Sequence, residues 1–346
     1  MYKLMRHCSY HLPLLICFIF MSASIASANC LMFPQNERLT NYCIMSKVDG
    51  KRVDARTGNV VIQRLQREGY FEGLSSPQLL TQVYPTFTYS DNINGGNPDK
   101  KLKLGSLEFS GEPALIAKEG VVGSLNFAAS NRTTIGGGRY IDASAVLSSS
   151  YSPEHALSYT NTNILLCSKN KINKDTHIDI CASTSSQNKD ITRDQTDSLS
   201  ASWAKMLYAE NFGFNEAKLG LTRVSTSDFE QSQLQLSLDT IHDRNLFTSV
   251  SLKLGAPVEG SLALNYGIGL GVSVMIRNRN VTLNVNHEYR DGGQLLGVKR
   301  VDKVTAVSLS TQLRRDTNIT LGYKSSNSSI DYFDQYYPII SLTQKW

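Results

Sequence analysis

Residues 337–346 read YPIISLTQKW, and this stretch decides how the rest of the chain is to be read. Tyr336, Pro338, Ile340, Leu342 and Trp346 fall on one mostly apolar face, and Ser341, Thr343 and Lys345 on the other. A strand that stops on an aromatic side chain suited to a membrane interface fits the closing strand of a bacterial outer-membrane β-barrel, with Ile340, Leu342 and Trp346 as its C-terminal signal. Gln344 departs from the pattern, because an apolar residue is usual there. An edge strand of a soluble sheet fits the same residues, so the remaining sequence has to choose.

Working outward, the opposite end sets the compartment. Lys3 and Arg6 make a basic start, Leu12 to Met21 is an apolar run, and Ala26-Ser27-Ala28 is a cleavage motif, so residues 1–28 read as a secretory signal. The run is too short to span a bilayer as a helix. A lipoprotein signal ending at Cys30 is the rival, and Asn29 fits poorly with the small residue such signals need. Cleavage removes two of the 35 basic residues and none of the 30 acidic ones, leaving a net charge of +3. That balance gives no footprint for nucleic acid. The expected organisation is a signal peptide at 1–28, a short periplasmic or plug segment at 29–80, and a barrel at 81–346.

Cys30, Cys43, Cys167 and Cys181 remain after cleavage, and an oxidising periplasm favours two disulfides. Three connectivities are open; proximity suggests Cys30 with Cys43 and Cys167 with Cys181, against free buried thiols. His177 alone does not supply a metal site beside them, so no metal or cofactor is expected.

From about residue 81 onward the period is two. Val281, Leu283, Val285, His287 and Tyr289 alternate with Thr282, Asn284, Asn286 and Glu288; Leu262 through Val274 gives seven consecutive same-face apolar positions. A soluble sandwich also alternates. The second face, however, is small, polar and often charged in strand after strand, which leaves the apolar faces only lipid to pack on. A transmembrane antiparallel up-and-down barrel of about fourteen strands follows. Turn markers place the strands near 81–91, 120–130, 139–151, 156–167, 176–187, 196–208, 214–225, 230–240, 245–255, 260–275, 279–290, 303–314, 317–326 and 336–346. Lys103 to Ser110 is a fifteenth candidate that would break the even count.

With the first strand running outward, 92–119, 291–302 and 327–335 become long extracellular loops and the Cys167–Cys181 hairpin lies on the periplasmic side. Val60 to Glu68, ended by Gly69, reads as a short helix with Val61, Ile62 and Leu65 on one face. It forms a plug, leads into the first strand, or belongs to a mobile linker. Strand parity makes Lys205, Lys218, Lys253 and Lys324 candidates for lining the lumen.

No catalytic residue is assigned. His155, His177, His242 and His287 lie on different strands and turns, and His287 and Glu288 are neighbours in a strand and point to opposite faces. Gly136-Gly137-Gly138 lacks the following helix of a phosphate cradle and reads as a turn. Asp91 to Asn97 lacks the acidic residue that closes a calcium loop and reads as an Asn-rich loop.

Several local patterns coincide with one family. The first strand runs into Tyr89-Ser90-Asp91-Asn92-Ile93-Asn94-Gly95-Gly96, the next loop contains Gly105-Ser106-Leu107-Glu108-Phe109, a strand opens at Gly120, and Asp331-Tyr332-Phe333-Asp334-Gln335 precedes the terminal strand. Over about residues 81–346 the chain resembles the C-terminal barrel of the surface lipoprotein assembly modifier proteins. The resemblance implies a non-enzymatic translocon in the bacterial outer membrane that helps move a lipoprotein or secreted protein to the cell surface. Its partners would be that cargo, outer-membrane lipids and the barrel assembly machinery. The family's tetratricopeptide domain is replaced here by about fifty residues with no repeat period. The alternative function is a passive porin-like channel for small polar solutes.

Overall fold

The computed structural model describes residues 30, 36–48, 55–69, 78–104, 107–210, 212–242, 245–277, 279–314 and 316–344. The signal at 1–28 and the terminal Lys345 and Trp346 lie outside them.

Alternation becomes a closed ladder. The barrel strands are β1 (Gln78–Ser90), β4 (Gly120–Gly136), β5 (Arg139–Ser152), β6 (Leu157–Asn173), β7 (Thr176–Asn188), β8 (Arg193–Ala209), β9 (Gly213–Thr226), β10 (Glu230–His242), β11 (Leu246–Gly255), β12 (Ala263–Ile276), β13 (Arg279–Leu295), β14 (Val298–Arg314), β15 (Thr317–Ser328) and β16 (Gln335–Gln344). Each pairs antiparallel with its sequence neighbour, and β1 pairs with β16, so fourteen strands close. The extra candidate at Lys103 to Ser110 forms a separate hairpin, β2 (Lys101–Leu104) with β3 (Leu107–Ser110), outside the ladder.

Ladder register fixes the faces. Phe87, Leu125, Leu147, Leu221, Leu270 and Leu309 point outward and are about half exposed, an apolar belt with no protein neighbour. On β16, Tyr336, Pro338, Ile340 and Leu342 all lie on this exposed face. Closure satisfies the backbone polar groups along the ladder, which is what allows such a belt to sit in hydrocarbon. A closed barrel with this belt and a polar interior is an outer-membrane β-barrel.

Two expectations need correction. Residues 291–302 are not a long loop: β13 runs to Leu295 and β14 starts at Val298. Gly292, at φ 90°, sits in a bulge between Arg290 and Gly293. This bulge uses the same left-handed glycine as a turn, so Asp291-Gly292-Gly293 imitates a loop in sequence. The seven-residue apolar face is likewise broken, because a bulge between Leu264 and Tyr266 puts these two residues on opposite faces. Only Tyr266 through Val274 remain aligned.

Among the described residues, the connections at the rim shared by the start of β1 and the end of β16 are short, and we call this the turn rim. At the opposite, loop rim the 91–119 connection is by far the longest. Asn92 ties it down by donating Nδ2 to the Gly96 carbonyl (2.7 Å) while its Oδ1 accepts from Gly96 N–H (2.9 Å). Asn94 donates to the Ile116 carbonyl (2.8 Å) and accepts from Lys118 N–H (3.0 Å). The connection then meets the β7–β8 loop: Lys189 Nζ donates to the Asn92 carbonyl (2.7 Å) and Ile191 N–H to the Asn94 carbonyl (2.9 Å). It is therefore a strap reaching across part of the outer mouth.

Replacing the outward Leu270 by Arg is expected to destabilise the barrel by about 2–4 kcal/mol in vesicle unfolding titrations. Replacing the inward Gln235 by Arg should change little.

Candidate functional site in the lumen

Two helices stand inside the turn-rim half of the barrel. Helix α1 spans Glu37–Val48 and α2 spans Ala55–Arg67. Asn36 caps α1, its Oδ1 accepting from Leu39 N–H at 2.9 Å. Leu39, Cys43 and Ile44 of α1 and Val61 and Leu65 of α2 pack on Met206, Phe214, Ile241 and Phe247, which point inward from β8 to β11. Ile62, expected on the same face, is 47% exposed. Cys30 is bonded to Cys43 and stays buried with this cluster.

Gly69 ends the second helix and docks the plug. At φ 73° it adopts the left-handed conformation of a helix terminus, and its carbonyl accepts from Gly138 N–H at 2.8 Å. A Cβ there would lie 2.5 Å from the Arg139 carbonyl oxygen. The Gly136-Gly137-Gly138 segment is thus the β4–β5 turn and also a landing point for the plug.

Charge fixes the start of α1 to the wall. Arg38 donates through Nη2 to both oxygens of Asp179 on β7 (2.7 and 2.8 Å) and through Nη1 to Glu216 on β9 (3.4 Å). Asn36 Nδ2 donates to Glu216 (2.5 Å) and to Asp239 on β10 (2.9 Å), and Ser249 on β11 donates to the other Asp239 oxygen (2.6 Å). Across the lumen Arg132 on β4 forks onto Asp142 on β5 (2.6 and 2.9 Å), reaches Glu37 (3.1 Å) and lies 4.4 Å over the Tyr140 ring. These groups surround a chamber of about 500 Å³, lined also by Lys169, Lys218, Gln235, Ser237 and Ser251.

Burial alone would lower the Arg38 pKa, but Asp179 and Glu216 outweigh it and hold the guanidinium charged. Glu68, just beyond α2, has the opposite environment. It is 4% exposed, one carboxyl oxygen has no hydrogen-bond partner, and burial aided by Glu37 pushes its pKa up to about 7.

Three of the four candidate lysines share the inward face. Lys218 lines the chamber, Lys253 follows Ser249 and Ser251 on the same parity, and Lys324 lies 5.4 Å from the Tyr337 ring. Lys205 is a correction: it shares its face with the exposed Leu199, Trp203 and Leu207 and pairs with Asp175 in the β6–β7 turn at 2.9 Å. Ala204 and Met206 take the inward positions. Cys167 and Cys181 are bonded across β6 and β7 on the lumen side, in the hairpin whose turn lies at the turn rim. Ile340 and Leu342 lie in the outward belt, and Trp346 is outside the described residues. Among the described residues no group of three or more His, Cys, Asp or Glu is placed to hold a metal ion.

Sequence reasoning missed Asn36, Arg38 and the apolar landing patch. The patch had a visible signal: the inward parity of β8 runs Ser198, Ser200, Ser202 and then turns to Ala204 and Met206.

No family model matches the sequence, and no curated protein matches it. Among solved structures, the barrel is similar to the outer membrane channel DcaP of Acinetobacter baumannii, with 9% identity over 80% of this chain and 100% of that chain and a TM-score of 0.43. Salmonella typhi OmpF gives 9% identity over 81% and 98%, with a TM-score of 0.44. The outer membrane protein OpdK of Pseudomonas aeruginosa gives 7% over 78% and 98%, with a TM-score of 0.43. A likeness this distant says nothing of what the lumen passes.

Glu68 makes plug docking pH-dependent. Its carboxyl is raised from 4.5 to about 7 when docked, so the stabilisation is fully present below 4.5 and is lost as pH rises to about 7. Amide exchange in α1 and α2, corrected for the intrinsic rate, should be faster at pH 8 than at pH 5. Glu68→Gln should flatten that difference.

Proposed function

We propose that this outer-membrane barrel passes small polar solutes through a lumen that its own N-terminal helices obstruct. The observation that carries the reading is the chamber between Arg38 and the wall, where the described lining holds five carboxylates and four basic side chains. A lining of both signs suits hydrated polar solutes rather than apolar ones. The plug gates the inner end: its apolar side seats on Met206, Phe214, Ile241 and Phe247, while its polar start is clamped by Asp179, Glu216 and Asp239. The reading is non-enzymatic and needs no cofactor.

Removing Arg38 leaves Glu216 buried without its ion-pair partner and Asp179 with only the longer Lys169 contact at 3.6 Å, a change worth about 3–5 kcal/mol at a buried ion pair. In planar bilayers the full chain should show low conductance, and Arg38→Ala should open frequent larger steps. Equal conductance in the two proteins would sink a gating role for the plug.

A second reading follows the family resemblance: the barrel helps to export or display a lipoprotein or secreted protein. The β1–β16 seam is where such a route would lie: among the described residues its paired positions are Thr86 with Thr343, Phe87 with Leu342 and Thr88 with Ser341. Deletion should then remove a protein from the cell surface without changing its total amount. An unchanged set of surface proteins would exclude export.

A further inference from the structure

On the inward faces of β9, β10 and β11 the polar side chains change their habit partway along the strands. Nearer the turn rim they are engaged with the plug and with one another: Glu216 and Asp239 accept from Asn36, and Ser249 donates to Asp239. Nearer the loop rim the inward positions are Lys218 on β9, Gln235 and Ser237 on β10, and Ser251 and Lys253 on β11. Among the described residues none of these five side chains has a hydrogen bond or an ion pair within the protein. Four of them line the chamber, and Lys253 is exposed just beyond it.

Ladder register brings the five together. Lys218 stands opposite Ser237, Ser237 opposite Ser251, and Gln235 opposite Lys253. At about 4.8 Å between strands and about 3.4 Å per residue, the two lysines start roughly 12 Å apart, a span their side chains can close over the serines between them. Glycine keeps the flanks open: Gly220 lies opposite Gln235, Gly267 opposite Lys253 and Gly269 opposite Ser251. A Cβ at Gly269 would lie 2.5 Å from Ser251 Oγ and crowd that hydroxyl.

The charges nearby are otherwise paired off. Arg38 is taken up by Asp179 and Glu216, Arg132 by Glu37 and Asp142, and Arg290 by Glu288. Lys169 reaches Asp179 at 3.6 Å. Lys218 and Lys253 thus offer two ammonium groups without an ion-pair partner, beside two hydroxyls and an amide. We propose that Lys218, Lys253, Ser237, Ser251 and Gln235 form a binding site for the phosphate group of a small solute. Ammonium groups act as point charges and hydroxyls rotate, which suits a tetrahedral set of oxygens; a planar carboxylate is matched better by an arginine fork, and the arginines here are occupied. The inference rests on the reading of the barrel as a passage for polar solutes and narrows that class to phosphate-bearing anions.

The test is equilibrium dialysis of radiolabelled inorganic phosphate against the full chain in detergent micelles at low ionic strength. Saturable binding is expected, weakened by about tenfold or more when Lys218→Gln and Lys253→Gln are combined. Lys324→Gln, at the lysine that faces Tyr337 on another part of the wall, should leave it unchanged. No saturable binding, equal binding by the double variant, equal loss in Lys324→Gln, or acetate bound as tightly as phosphate would overturn the proposal. Protease resistance of each variant confirms a folded barrel. Phosphate binding by a chain that conducts neither unaltered nor as Arg38→Ala would leave the site standing and remove the passage reading; conductance in Arg38→Ala without phosphate binding to the unaltered chain would remove the site alone.

Discussion

Everything in this molecule depends on backbone hydrogen bonds having nowhere to go but to the next strand. In hydrocarbon an unpaired amide costs several kcal/mol, so the chain must close its ladder or stay out of the membrane. Closure dictates alternation, and alternation dictates a polar interior. A polar interior cannot hold an inserted helix by burial alone, which explains why α1 is fixed at its polar start by Arg38 and Asn36 and seated only where four inward positions have become apolar. The plug and the chamber are consequences of how the barrel is made.

The barrel was legible because its signal is local and repeated. Each strand announces its period within a few residues, so all fourteen could be placed from sequence. The ends were harder, and for a definite reason. Asn131 to Thr134 resembles turn chemistry, yet it continues the ladder of β4 and aims Arg132 inward. Gly292 and Gly297 both take positive φ, one in a bulge and the other at a true turn. Local composition does not separate these two uses.

The lumenal site was mostly illegible, because its contacts are long-range. Arg38 meets a carboxylate 141 positions away, and Asn36 meets one 203 positions away. A single sequence offers no reason to join them. Parity did place Lys218, Lys253 and Lys324 on the inward face, but for Lys205 the parity was taken from the wrong register, with Ala204 and Met206 occupying the inner positions instead. Helix α1 had its own marker in Asn36 followed by Glu37, a cap and an acidic first turn that lay unread in a segment without strong apolar period.

Asn36 also sets an order of events. One end of its amide starts α1, and the other binds Glu216 and Asp239, so the cap and the anchor are a single side chain. Those acceptors lie on β9 and β10, and the neighbouring Arg38 needs β7 as well. A segment synthesised ahead of the barrel strands therefore has no complete binding site until strands made much later have been joined. It precedes the barrel in the chain, yet its anchoring contacts exist only once β7, β9 and β10 stand side by side.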